Sequence, residues 1–117
     1  MAIATEEIVK TFDKKNVFYI NVLLSVTMLC DCWGMSTPSL VPDIGIMASD
    51  DLVAIEKASL DMIKTEDLLP NSLPEGRELR GGKHLFEKIW GKDPFVQIAE
   101  LEKRGLGNSD YEINEIK

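Results

Sequence analysis

Basic residues and long apolar runs are both scarce in this chain. Thirteen Lys and Arg stand against twenty Asp and Glu, and the net charge of −7 disfavours nucleic acid and anionic lipid as partners. The longest apolar run, residues 17–29, is shorter than the ~20 residues that span a bilayer. Acids at residues 6–7 stand where a signal peptide would carry Lys or Arg. We therefore expect a cytoplasmic protein that binds neither nucleic acid nor membrane.

Motifs for phosphate binding and hydrolysis are also missing. Gly105-Leu106-Gly107 has no lysine of the P-loop kind and no helical pattern after it. No Ser, His and Asp set has local support, and His84 is the only histidine. The only cysteines are Cys30 and Cys32, which we expect to be reduced because disulfides are rare in the cytoplasm.

The composition is that of a folded domain. Hydrophobic residues make up 44% and charged residues 28% of 117 residues, which suits one domain with a modest core. The apolar patterning predicts an α/β fold, a small sheet of two to four strands with covering helices in a single domain over residues 1–117. Helices are predicted at 3–12, 49–64, 84–90 and 93–105, and strands at 17–24, 44–48 and 111–116.

The first predicted strand, residues 17–24, is apolar on both faces, as in a central strand covered on two sides. A sheet this thin would leave one face short of cover, so we expect a homo-oligomer, most simply a homodimer. In the preceding helix, the apolar positions near helical spacing predict a buried stripe formed by Ile3, Ile8, Val9 and Phe12.

Two helix starts are marked by acidic caps. Ser49-Asp50-Asp51 provides capping oxygens and negative charge for the second helix. Asp93 is the expected cap of the last helix, with Pro94 at its first position and Gly105 at its end. The buried stripe predicted for the second helix consists of Leu52, Ile55, Ala58 or Ser59, and Met62.

The pentapeptide Cys30-Asp31-Cys32-Trp33-Gly34 lies in a predicted loop over residues 25–43, longer than most loops inside compact domains. Two thiols one residue apart suit a soft metal or a redox pair, and zinc or an iron–sulfur cluster is the cofactor such ligands select. A closed site takes four protein ligands, so His84, Asp31 and Asp43 are candidates to complete it. The alternative is that the cysteines are packing residues and that no cofactor is bound.

Asp43 and His84 could also have structural roles. Asp43 follows Pro42 and could bond the turn there, or face the cysteine loop as a buried group. His84 opens a predicted helix and could be a solvated or capping residue as readily as a base or ligand.

The cysteine pentapeptide, followed by residues 41–59 with Pro42-Asp43-Ile44-Gly45-Ile46 at their start, resembles part of a known family. The family is an uncharacterised group of iron–sulfur-associated proteins (domain of unknown function 362), and the likeness is to its C-terminal part. The resemblance extends over most of the chain, including Gly81-Gly82, the glycines near the C-terminus and Tyr111. It implies a site at Cys30, Cys32 and the Asp43 loop.

The chain departs from the family pattern in places. Leu52 and Glu56 stand where members often have proline and aspartate. Members are typically longer and many carry a ferredoxin-type stretch with C-x-x-C spacing, which this chain lacks. The resemblance therefore implies the C-terminal half of such a protein, truncated or free-standing.

Three functions follow as hypotheses. The preferred one is a metal- or iron–sulfur-associated redox accessory domain that uses the Cys-x-Cys loop together with a ferredoxin-type redox partner or a second copy of the chain. The first alternative is a small-molecule enzyme domain with a cleft around Asp43 and the cysteine loop, where open α/β sheets bind ligands. The second is a non-catalytic, self-associating interaction domain.

Overall fold

Two strands form the whole sheet. Strand β1 (Tyr19–Leu23) pairs antiparallel with β2 (Gly45–Ser49), so that Ile20 lies opposite Ala48 and Val22 opposite Ile46. The helices are α1 (Ala2–Val9), α2 (Leu52–Met62), α3 (Leu85–Trp90) and α4 (Val96–Lys103). This computed structural model describes residues 1–117 and confirms the predicted small α/β fold class.

One face of the sheet, here called the inner face, packs against α2. The side-chain amide of Asn21 on β1 donates hydrogen bonds to Glu56 Oε1 and Ser59 Oγ on α2, each at 3.0 Å. The Ser59 hydroxyl in turn contacts Met47 Sδ on β2 at 3.7 Å. The partly buried amide is thus satisfied, which removes the cost of placing Asn21 under a helix.

Helix α2 begins at an acidic cap, as predicted. Asp51 is the N-cap residue, and its Oδ1 accepts a hydrogen bond from the amide of Ala54 at 2.9 Å. The buried positions are Val53, Ile55, Ala58 and Ser59. Leu52 is partly buried and packs against the core, whereas Met62 is 37% exposed, so of the predicted stripe only Met62 was wrong. Helix α2 is covered by two elements, the sheet and α4, so its buried surface is wider than one stripe.

The core consists of two hydrophobic clusters. The first joins the β1–β2 connection to α3 and the segment after α2 through Met28, Leu40, Val41, Ile63, Leu85 and Ile89. The second lies between α1, α2 and α4 and contains Ala2, Val53, Ile98 and Leu101. The second cluster thus joins the two ends of the chain to α2. Contacts between helices stabilise one side of the domain, and contacts of the long β1–β2 connection stabilise the other.

Helix α4 begins and ends close to the predicted residues. It starts at Val96, and Asp93 Oδ1 accepts a hydrogen bond from the Phe95 amide (2.9 Å) in the turn before it. Pro94 therefore precedes the helix and does not open it. The helix ends at Lys103; Gly105 then takes the left-handed conformation (φ +77°) and the Leu106 amide bonds back to the Leu101 carbonyl (3.1 Å), which closes the last turn.

Three predicted features were wrong. The first strand is covered on one side only, since Ile20 and Val22 on its other side are 63% and 58% exposed. Residues 111–116 form no strand, because nothing pairs with them. In α1 the residues that face the domain are Ala2, Thr5, Glu6 and Val9, whereas the rest of the predicted stripe (Ile3, Ile8 and, just beyond the helix, Phe12) points to solvent.

No helix combines the length and the apolar run that crossing a membrane requires.

Candidate functional site

The cysteines lie on a long connection between β1 and β2. Residues 24–44, here called the arm, leave β1 and double back into β2. Near the sheet, the Ile44 amide donates to the Leu23 carbonyl (2.9 Å) and the Leu40 amide to the Val26 carbonyl (2.7 Å). Further out, Thr27 and Ser39 form an isolated antiparallel bridge. The arm therefore continues the strand pair as a sparser ladder, and the cysteines occupy its far end.

The arm is held against the rest of the domain by packing. Leu40 and Val41 are almost fully buried (0% and 2% exposed), and Met28 belongs to the same hydrophobic cluster. The indole Nε1 of Trp90 on α3 donates a hydrogen bond to the Met28 carbonyl at 3.0 Å. The Leu69 amide donates to the Leu40 carbonyl at 2.8 Å. Because the arm is anchored by these contacts, its far end has a defined position relative to the rest of the domain.

The end of the arm is a short 3₁₀ turn over Asp31–Trp33. The amide of Trp33 donates to the Cys30 carbonyl (3.0 Å), and the amide of Gly34 donates to the Asp31 carbonyl (2.9 Å). Gly34 then adopts φ +71°, a left-handed conformation that glycine enters without steric cost. We call residues 30–35 the tip.

Both thiols at the tip are free and exposed. They are near enough to influence each other's ionisation. The thiol of Cys32, followed by its backbone amide, lowers the pKa of Cys30 by hydrogen bonding to the thiolate, although Asp31 opposes this with its charge. The pKa of Cys32 is raised, first by its interaction with Cys30. The Cys30 thiol therefore loses its proton more readily than the Cys32 thiol. The thiolate is the form that acts as a nucleophile or a soft-metal ligand.

Asp43 lies at the base of the arm and is exposed. Its Oδ1 accepts a hydrogen bond from the amide of Ser25 at 2.8 Å, which links the outgoing and returning segments of the arm. Ser25 has φ +50°, an uncommon conformation for a residue with a side chain, and this hydrogen bond helps to hold it. The prediction that Asp43 is a buried group was wrong, and its hydrogen bond with the Ser25 amide is a structural contact.

His84 is buried and serves as a cap. Its Nδ1 accepts a hydrogen bond from the amide of Phe86 at the start of α3 (3.1 Å). Its Nε2 lies 2.8 Å from the Leu60 carbonyl. Because a carbonyl only accepts, Nε2 carries the proton and Nδ1 is the acceptor. Both ring nitrogens are thus engaged, and the ring is oriented by contacts with Phe86 and Phe95.

The five candidate ligands, Cys30, Cys32, Asp31, Asp43 and His84, do not come together as a set. Nowhere does the structure place three or more His, Cys, Asp or Glu side chains where they could hold one metal ion. Cys30 and Cys32 remain a pair, whereas Asp43 and His84 bond to backbone groups. Zinc and iron–sulfur clusters take four protein ligands in closed sites, so this chain alone offers half of such a set.

Two surface depressions lie elsewhere. One, of about 270 Å³, is bordered by His84, Phe95 and charged residues that include Asp61 and Lys83. The other, of about 680 Å³, lies along residues 74–80. Neither includes Asp43 or a residue of the cysteine loop, so neither is the cleft described by the enzyme hypothesis.

One feature of the surface was missed by the sequence reasoning. The tip exposes Trp33 and Met35 (70% and 57%) beside the cysteines. The signal was available in part, because Trp33 and Met35 flank the left-handed Gly34, where a chain turns at the surface. The exposed apolar face of the sheet, in contrast, was expected, because a sheet this thin leaves one face short of cover.

Comparisons of the chain with protein families, with curated proteins and with solved structures each find no match.

Proposed function

We propose that this chain is a metal- or iron–sulfur-associated redox accessory domain whose tip contributes Cys30 and Cys32 to a site completed by another chain. The observation that carries the proposal is the exposed thiol pair on an anchored arm, with no third ligand beside it. A pair of packing cysteines would be buried, since free cysteine in that role is among the most buried residue types.

The incomplete ligand set supports the involvement of a second chain. A soft ion bound by two exposed thiolates still has open positions, which a partner's ligands can occupy. The partner is either a ferredoxin-type protein or a second copy of this chain, which would bring two more thiolates. We favour an iron–sulfur cluster over zinc because the cysteine pentapeptide and residues 41–59 resemble the iron–sulfur-associated family.

The test is anaerobic reconstitution of the reduced protein with iron and sulfide, or with zinc, followed by metal counting. A site shared between copies gives one metal ion or cluster for every two chains, because each supplies two of four ligands. Cys30→Ser and Cys32→Ser should each abolish binding. Asp31→Asn, which leaves both thiols in place between the same neighbours, should retain it.

Other outcomes are informative. One metal per chain, lost on His84→Ala with the fold intact, would indicate a site within one chain and contradict the shared arrangement. Absence of binding by the reduced protein, both alone and mixed with a ferredoxin-type partner, would overturn the proposal.

A further inference from the structure

The face of the sheet turned away from α2, here called the outer face, is entirely apolar. Strand β1 and its two flanking residues alternate, so that every second side chain points outward. Their cross-strand neighbours on β2 point the same way. The outer face consists of Phe18, Ile20, Val22, Leu24, Ile46 and Ala48.

These side chains are open to solvent. Phe18 and Ile46 are 65% and 68% exposed, and Leu24, the least exposed of the large ones, is 46% exposed. Antiparallel sheets with one covered face normally turn their polar residues to water. Here the polar side chains Asn21 and Ser49 are on the inner face instead. The more hydrophobic face of the sheet is therefore the one that no other element of this chain covers.

The size of the outer face fits a specific interface. Six exposed apolar side chains present on the order of 500 Å², which is the size of the largest apolar patch on a typical monomer, and such patches are often functional. Two such faces in contact would bury roughly 1,000 Å² in total, about the minimum for a biological interface. A second copy of the chain therefore supplies enough area by itself.

We propose that the outer face is a homodimer interface, in which two copies of this chain stack sheet against sheet about a two-fold axis. An uncharged, apolar patch is complementary to itself, which is what an isologous contact requires. Stacked sheets about 10 Å apart interdigitate side chains of this kind. Anionic lipid is a poor occupant because the chain carries a net charge of −7. A peptide that adds as a strand would bind a sheet edge and leave this face open.

The net charge gives the dimer a distinctive salt response. Each copy carries −7, and although the six residues of the outer face are uncharged, the exposed Asp50 follows β2 at the position that continues the register opposite Phe18. Repulsion therefore acts between charges at and beyond the rim of the contact. Such repulsion is screened over about 8 Å at physiological ionic strength. Added salt should therefore strengthen association, whereas an interface built on ion pairs would weaken. This inference does not depend on the metal proposal, since the outer face contains no cysteine.

The experiment is sedimentation of the full-length, metal-free chain in reductant, with the Cys30→Ser/Cys32→Ser variant run in parallel to exclude dimers linked by disulfides. We expect a dimer at roughly tens of micromolar, a concentration at which a micromolar association is well populated. Ile20→Lys should raise the dissociation constant by about tenfold or more, since it places a charge in the contact. Ile3→Lys is the matched control: Ile3 on α1 is also 63% exposed, and its replacement should leave the dimer unchanged.

A monomer at all salt levels and at concentrations up to about 100 μM would overturn the inference, since a 10 μM association would be mostly dimeric there. A dimer unaffected by Ile20→Lys would overturn it as well, as would an equal loss of dimer on Ile3→Lys. A monomer that binds vesicles through the outer face would also overturn it. Circular dichroism checks that Ile20→Lys is folded. If it is not, Val22→Thr with Ile46→Thr keeps β-branched residues in both strands and removes apolar surface, and the same outcomes apply.

Discussion

Asp51 and Asn108 are joined by a hydrogen bond that fixes the C-terminal segment to the start of α2. The backbone amide of Asn108 donates to Asp51 Oδ2 at 3.0 Å, while Oδ1 of the same carboxylate caps the Ala54 amide. The Asp51 amide itself donates to the Ser49 hydroxyl at 3.0 Å. One side chain therefore stabilises a helix start and a long-range contact together.

The two acids at this helix start should differ in their contribution to stability. Asp51→Ala removes the cap and leaves the Asn108 amide without its acceptor, and we expect a loss of about 1–2 kcal/mol in the free energy of unfolding. Asp50 is exposed and makes none of these contacts, so Asp50→Ala should change stability by less than about 0.5 kcal/mol. Urea denaturation measures both. Equal losses in the two variants, or none in Asp51→Ala, would contradict the assignment of the cap.

Gly107 should tolerate no side chain while Asp51 is in place. A Cβ at residue 107 would collide with the Asp51 carboxylate and lie 3.0 Å from Val53 Cβ. Gly107→Ala should thus displace Asp51 from both of its partners and destabilise the domain by about the same 1–2 kcal/mol as loss of the cap. In a double-mutant cycle with Asp51→Ala the two effects should be clearly less than additive. Full additivity would show that the segment has another conformation.

Sequence patterning succeeded where a single local signal determines the structure. The cap at Asp51, the left-handed Gly105 and the apolar strands all have short-range causes, and each element forms within two or three residues of its prediction. The long loop after β1 and the cysteines within it were likewise predictable. Its defined shape was not, because Leu40 and Val41 reach the core through contacts with α3 that no periodicity reveals.

The errors arose where a neighbouring element decides which side is buried. The strand apolar on both faces gave no sign of which face α2 would cover, and Asn21 is inside only because Glu56 and Ser59 meet it there. The alternating residues 111–116 suggested a strand, but alternation cannot supply a pairing edge. Instead, the Tyr111 hydroxyl donates to Asp61 on α2 at 2.7 Å, which holds the segment by a side chain.

His84 should be important for stability and unimportant as a ligand. His84→Ala removes the acceptor at the start of α3 and the donor to the Leu60 carbonyl, and we expect a loss of about 2 kcal/mol. Metal binding measured on the folded variant should be unchanged, because both ring nitrogens bond within the domain. Lys83→Ala, at the exposed neighbouring position, is the control and should alter neither property. Loss of metal from folded His84→Ala would reverse this assignment.

The attachment of α1 should weaken in acid. Glu6 Oε2 accepts a hydrogen bond from Arg104 Nη1 on α4 at 2.8 Å, and Lys10 pairs with the other oxygen. Interactions with Lys10 and then Arg104 lower the pKa of Glu6 from its usual 4.5. A carboxyl whose pKa is lower in the folded state stabilises it fully above about 4.5, and this contribution disappears as the pH falls through the folded value.

The measurement is amide exchange in α1, corrected for the intrinsic effect of pH on exchange. Protection should fall below pH 4.5 in the wild type. In Glu6→Gln it should already be low at neutral pH and show a smaller change. Glu7→Gln is the control because Glu7 pairs with Lys10 but not with Arg104. Identical profiles for the wild type and Glu6→Gln would remove this ion pair as the cause.

The two cysteines should differ in reactivity although both are exposed. Since the Cys32 thiol and amide lower the pKa of Cys30, and the same interaction raises that of Cys32, Cys30 holds more thiolate at neutral pH. Thiolate is the nucleophile, so iodoacetamide should modify Cys30 first, as peptide mapping can show. Cys32→Ala removes the thiol that donates to Cys30, and the pH dependence of Cys30 alkylation should move upward. Asp31→Asn removes an opposing negative charge and should move it downward. Equal rates at the two cysteines, or no response to Cys32→Ala, would show that the thiols at the tip ionise independently.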